Sequence, residues 1–365
     1  MLISPRKNLI KIFFLFLILN QINSGKAVII SINGKNYKIN SPNVIEEDTE
    51  ITDGTFESYS LEEPVFIIKG HNTFLRLKDN VIVRKNIYTS DLELDPEKQK
   101  LGFYSAILVI GSSTVELNKV KIETDCKGCI GVTVLENAKL YSFNSEITTY
   151  DDNSPGIYSN YGGKLVFDTN LINTNKNFSP CILLLGKGNI NISDSQFTTK
   201  GINSELFYTE GNALVADSLG KSQQSNIITT KLIGSENIFN LQYSRFEGLR
   251  GVVIYSNKNY KGGFNSLESD LTLNTKNSEN AMFEIVDSTV KIQLSNSKLT
   301  AKNGFLIYAK SSGNLKRGAD VTVNGDQLSV SGLVKADNNC NIEFKSEGKV
   351  SFDGIIVDGD GKVEI

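Results

Sequence analysis

Leu117-Asn-Lys-Val-Lys-Ile122, Ser142-Phe-Asn-Ser-Glu-Ile147, Phe167-Asp-Thr-Asn-Leu-Ile172 and Ile192-Ser-Asp-Ser-Gln-Phe197 are one phrase written four times, with starts 25 residues apart. A second phrase keeps the same step. Ile107, Val132, Ile157 and Ile182 each sit in a short apolar run. A fixed period of this length belongs to a solenoid, in which each repeat buries its apolar face only on its neighbours. The runs are too short and too rich in β-branched residues for helices, and they alternate apolar with polar positions as half-buried strands do. The expected fold is therefore all-β, a right-handed parallel β-helix with turns of about 25 residues. The hand follows the crossover preference of parallel strands.

Stacking in parallel places equivalent residues about 4.8 Å apart along the axis. The period then predicts two inward ladders, Ile107–Val132–Ile157–Ile182 and Ile122–Ile147–Ile172–Phe197. Asp79, Asn144, Asp194 and Asn296 occupy one place in the phrase, where a left-handed corner between two strands suits Asp and Asn. Looser copies stand at Leu77–Ile82, Ile227–Leu232, Ser266–Leu271, Leu294–Leu299 and Val323–Leu328. The copy at Ile227 comes late by about ten residues, which predicts an insertion that includes Gly220–Ser225. Asp91–Lys100, Asn257–Gly263 and Ser311–Gly318 are further polar excursions, expected to be loops.

Working outward to the ends, Arg6, Lys7 and Lys11 precede an apolar stretch over Ile12–Leu19, with small residues at Ser24 and Gly25. This is the pattern of a cleaved signal peptide over residues 1–25, and it predicts export to the cell exterior or surface. Residues 26–74 read as a cap with irregular first turns, and 75–365 as the β-helix proper. No later stretch is long and apolar enough to span a bilayer. Gly354–Ile365 still reads as strand, and an open edge there predicts weak end-to-end self-association unless a loop such as Ser311–Gly318 shields it.

The net charge of −3 over 365 residues gives no reason to expect nucleic acid as a partner. Trp is absent and the one His is His71, which removes most His-based metal and nucleophile chemistry. No metal and no cofactor is expected. The four cysteines are Cys126, Cys129, Cys181 and Cys340. A local Cys126–Cys129 disulfide is the favoured reading in an exported chain, with buried thiols as the alternative. Asn191-Ile-Ser193 is a glycosylation acceptor, and Asn177-Phe-Ser179 a poorer one because Pro180 follows.

Asn153-Ser-Pro-Gly-Ile-Tyr-Ser159, Gly251-Val-Val-Ile-Tyr255, Ala281-Met-Phe-Glu-Ile285 with Thr289–Leu299, and Ala319–Gly332 carry a likeness. From about Leu75 onward the chain resembles the secreted, adhesin-like, right-handed parallel β-helix repeat proteins. The resemblance implies the fold and an extracellular setting. It carries over no catalytic residue, and this chain is less rich in Gly and Thr.

Two functions compete. Parallel β-helices of the pectin-lyase type cleave polysaccharides, by gathered carboxylates or by calcium beside a Lys or Arg base. The candidates here are Asp151 and Asp152 in one turn, with Asp125, Asp168 and Asp194 nearby, but paired Asp residues with Gly-His-Gly and Arg-x-Lys are absent. The other reading is a non-enzymatic scaffold that binds polysaccharide or cell-surface glycans. Tyr141, Tyr150, Tyr158 and Tyr161 fall in consecutive turns, and flat rings on a rigid sheet can stack on sugars. Binding requires less of the sequence, and it is the expectation carried forward.

Overall fold

The computed structural model describes residues 26–365 apart from 33, 88–92, 235–236, 276, 314–317, 327–328 and 347–352. Residues 1–25, where a signal peptide is expected, lie outside the described residues. Both predicted ladders are present. Val132 pairs in parallel with Ile107 and Ile157, and Ile157 with Ile182. Ile147 pairs with Ile122 and Ile172, and Ile172 with Phe197. Almost every strand is held by its equivalents one coil away. The result is a parallel β-solenoid of about 12 turns.

Each regular coil gives one strand to each of three sheets. The first sheet holds the apolar runs, such as Ile130–Leu135, Ile157–Asn160 and Ile182–Leu184. The second holds Lys139–Phe143, Lys164–Asp168 and Asn189–Ser193. The third holds Glu146–Thr149, Leu171–Thr174 and Gln196–Ile202. The parallel stack begins at Asn43–Ile45, which pairs with Phe66–Ile68. At the far end Gly354–Val357 pairs with Leu333–Ala336, and Ile355, Ile356 and Val357 are exposed.

The quoted phrase is the corner between the second and third sheets. Its third residue is left-handed in coil after coil, at Asp79, Lys119, Asn144, Thr169, Asp194, Asp217, Tyr243, Glu268 and Asn296, with φ of 46–57°. Lys, Thr, Tyr and Glu dislike this region, so something else must hold it. That is a buried polar ladder on the following residue. The backbone N–H of Ser195 donates to Ser218 Oγ, Ser218 to Ser244, Ser244 to Ser269 and Ser269 to Ser297, at 3.0–3.4 Å. Asn170 fills one rung, taking the N–H of Ser145 on its Oδ1. The corners from Lys119 to Glu268 are thus each bonded to the next coil.

The expected insertion before Ile227 is corrected. Ile228 pairs with Phe207 and Val252, so Ile227–Leu232 belongs to the first sheet. The phrase of that coil is Val215-Ala-Asp-Ser-Leu-Gly220, only 23 residues after Ile192, and Gly220–Ser225 is strand. Gly220 hid it, because it stands where Phe197 and Phe246 stand one coil to either side. A Cβ on Gly220 would lie 2.4 Å from Phe246 Cδ1 and 2.5 Å from Leu206 Cδ1. The neighbours' side chains already fill the place of the missing one.

The polar excursion after Asn86 is an insertion, but it holds one helical turn, Pro96–Lys100. Asp95 caps that turn by accepting the N–H groups of Glu97 and Lys98. With an antiparallel hairpin of Lys26–Ile32 and Lys35–Ser41, the insertion covers the outside of the first sheet. Ile30, Ile32 and Ile39 of the hairpin, and Phe103 and Tyr104 of the insertion, pack on Ile67, Leu108, Ile130 and Leu135. Ile130–Leu135 is accordingly buried on both faces, whereas beyond Leu185 this cover ends.

Candidate functional site

The solenoid spreads the four candidate tyrosines over different faces. Tyr141 is on the outer side of the second sheet, with Lys164 Nζ 6.0 Å from its ring centroid. Tyr150 follows the third-sheet strand and is 42% exposed, and Tyr161 sits left-handed at the corner after the first sheet, 44% exposed. Tyr158 is only 3% exposed, packed under the N-terminal cover, and burial pushes its hydroxyl up to about 12. A shared stacking platform is not assembled from these four. Consecutive turns in sequence are adjacent coils in space, but the residues occupy different positions within the coil.

Asp151 and Asp152 serve the turn that contains them. Asp151 Oδ1 accepts the N–H of Asp152 at 2.7 Å, and Asp152 Oδ1 accepts the N–H of Asn177 one coil on at 2.9 Å. Asn177 repeats the bond to Ile202 N–H at 2.9 Å. Asp168 accepts from Ser193 Oγ and Thr169 Oγ1, and Asp194 is a left-handed corner. His71 is exposed in a turn. Among the described residues no three His, Cys, Asp or Glu side chains are gathered within reach of one metal ion.

Cys126 and Cys129 form a disulfide, while Cys181 and Cys340 are free and buried. The bridged turn is also tied to the insertion, since Gln99 Nε2 donates to the carbonyls of Gly128 and Asn153 at 3.0 and 2.7 Å. Asn191 is exposed on the outer side of a second-sheet strand.

The carboxylates with the strongest surroundings lie on the first sheet. Burial raises the pKa of Glu205, which takes the hydroxyl of Thr229 at 3.4 Å. Glu210 is fully engaged. Its Oε1 pairs with Lys231 at 2.7 Å and its Oε2 accepts the N–H of Gly186 at 2.8 Å. Glu210 thus ties two neighbouring coils together through Lys231 and Gly186.

The surface that stands apart is on the second sheet in the C-terminal half. Asn240 pairs with Asn265, Asn265 with Gln293, Gln293 with Asn324, and Asn324 with Lys345. All lie on the side turned away from the core, so one outward column carries four carboxamides in four successive coils. Beside it run Gln242, Leu267 and Ser295. Gly263, outward on the same strand as Asn265, adds no side chain to the wall. Together they shape an open groove of about 600 Å³.

Asn is disfavoured in strands, so four amides at one ladder position run against local propensity. Stacked amides can stabilise a β-stack by bonding up the ladder. Here that bond is made once, Asn265 Nδ2 to Asn240 Oδ1 at 2.8 Å. Gln293 and Asn324 make no side-chain hydrogen bond among the described residues, which leaves their donors and acceptors to the groove. Lys345 is the one charged side chain among the described lining, and Glu343 pairs it at 3.0 Å. The same column upstream is quite different, with Arg76 paired to both Glu50 and Glu116.

Sequence reading missed this groove for a physical reason. Asn240, Asn265, Gln293 and Asn324 are 25, 28 and 31 residues apart. The spacing drifts with turn length, so only the strand register brings them into line. Comparison with protein-family models and with curated proteins found no match.

Proposed function

We propose that the protein is an extracellular, adhesin-like β-solenoid scaffold that binds polysaccharide without cleaving it. The amide column on the second sheet carries this reading. A carboxamide donates and accepts at once, as a sugar hydroxyl does, and unpaired amides on a rigid sheet are oriented before binding, which lowers the entropy cost. Leu267 beside them offers an apolar surface to a sugar ring. The basic and apolar N-terminal segment and the Cys126–Cys129 disulfide are in keeping with an exported chain. A glycan array run beside a reducing-end and unsaturated-end assay on pectin, alginate and plant-wall polymers tests it. Binding with no new chain ends is expected, and Gln293→Ala with Asn324→Ala should weaken it. New ends would make the protein an enzyme, and no binding to any glycan would remove the proposal.

A further inference from the structure

The groove has a direction and a charge, and both restrict what fits it. Its polar groups repeat along the solenoid axis. From Asn240 to Lys345 is four coil steps, or about 19 Å at the spacing of paired strands. Across the axis the amide column is one side chain wide on each strand, flanked by Gly263 and Lys291 on one side and by Leu267 and Ser295 on the other. A ligand lying across the coils meets one amide, or two at the coil where Gln242 stands beside Asn240. A ligand lying along the axis meets four.

The donor set decides the charge. Asn265 gives one of its two amide N–H groups to Asn240 and keeps the other beside its carbonyl oxygen, while Gln293 and Asn324 offer all of their N–H and carbonyl groups. A hydroxyl satisfies such a mixture because it donates and accepts, whereas a carboxylate only accepts and would meet the lone pairs of the amide oxygens. The one cation of the lining, Lys345, is partnered by Glu343, and Lys291 stands at the rim, one outward position from Gln293.

We infer that the groove holds an uncharged, linear polysaccharide laid parallel to the solenoid axis, contacted rung by rung from Asn240 to Asn324. This rests on the proposed glycan-binding function and specifies its ligand class. The amide column from Asn240 to Asn324 is three coil steps, so affinity grows with chain length until about 14 Å is covered and then levels off.

The test is calorimetry on the full chain with cello-, xylo- and malto-oligosaccharide ladders from disaccharide to octasaccharide, beside an oligogalacturonide ladder of the same lengths. At least one neutral ladder should gain roughly tenfold or more from its shortest to its longest members, the gain expected of a pair of added hydrogen bonds, before it plateaus. The oligogalacturonides should bind more weakly at every length. Asn240→Ala combined with Asn324→Ala removes the outer rungs, so it should cancel the gain of the long members and cost the short ones much less. Unaltered circular dichroism of that variant confirms that it is folded. Affinity independent of length, preference for the acidic ladder, or equal loss at all lengths in the variant overturns this inference while leaving glycan binding in place. Silence of the wild type on every array glycan overturns the parent reading as well.

Discussion

Gly220 allows the stacking register to be tested through a single contact. It sits between Phe197 and Phe246 on the inner side of the third sheet, and Phe246 leans into the space where its side chain would be. Gly220→Ala places a methyl 2.4 Å from Phe246 Cδ1 and 2.5 Å from Leu206 Cδ1, well inside van der Waals contact. Overpacking of this kind costs ~1–3 kcal/mol. Phe246→Ala leaves a cavity beside Phe207, whose ring centroid is 5.8 Å away, and costs ~3–5 kcal/mol. In the double variant the clash with Phe246 is gone, only that with Leu206 remains, and the added methyl fills part of the void. Its cost should fall below the sum of the two by ~1–3 kcal/mol, as for residues in direct contact. Urea denaturation followed by circular dichroism gives all four corners of the cycle, with the slopes compared to check that the unfolding unit is unchanged. Costs that add to within about 0.5 kcal/mol would mean that the two residues do not touch, and the assignment of Val215–Gly220 to the repeated corner would be wrong.

Lys85 is fully buried, with Nζ donating to the carbonyls of Ser60 and Glu63 at 2.8 Å, and burial pushes its pKa from 10.5 down to about 7. The unfolded chain therefore holds the extra proton between those values, so stability should rise with pH across that window by up to ~1.4 kcal/mol per unit, and Lys85→Met should flatten the slope in denaturation series at several pH values. Ile157 is fully buried in the first-sheet ladder and Lys164 is exposed. Ile157→Asp should cost several kcal/mol and Lys164→Asp well under one, and equal small costs by the same assay would contradict the inward and outward assignment. Cys126→Ser with Cys129→Ser should lower stability by roughly 2 kcal/mol, the chain-entropy value for so short a loop. Thiol titration of the denatured wild type should then find only Cys181 and Cys340 free.

Much of the architecture was legible because buried strands cannot slip. A one-residue shift would turn Ile122, Ile147 and Ile172 outward together, so their spacing encodes register directly. The corner was half legible. Asn144 and Asp194 advertise a left-handed residue, but Tyr243 and Glu268 do not, and there the signal lies in the serine that follows. Gly220 broke the phrase because its apolar contribution is made by Phe246 and Leu206, which no single repeat reveals. The candidate site was the least legible part. The four tyrosines lie close in sequence, whereas in a solenoid two residues share a face only if they occupy the same place in the coil. Tyr158 also shows that an outward position can be sealed by a distant hairpin and insertion.

The solenoid stands on the number of coils in its stack, and a distance between spin labels counts them most directly. Lys139 and Lys291 are exposed and belong to one outward column of the second sheet, linked through Lys164, Asn189, Asn212, Ile238 and Gly263. Labels on cysteines at these two positions are six coil steps apart, about 29 Å at the spacing of paired strands. The native Cys181 and Cys340 are buried and out of reach of the label. An electron–electron resonance distribution centred near that distance is predicted. A centre near about 24 Å, the five steps left if Gly220–Ser225 were an inserted loop, would contradict the assignment of Val215–Gly220 to the repeated corner.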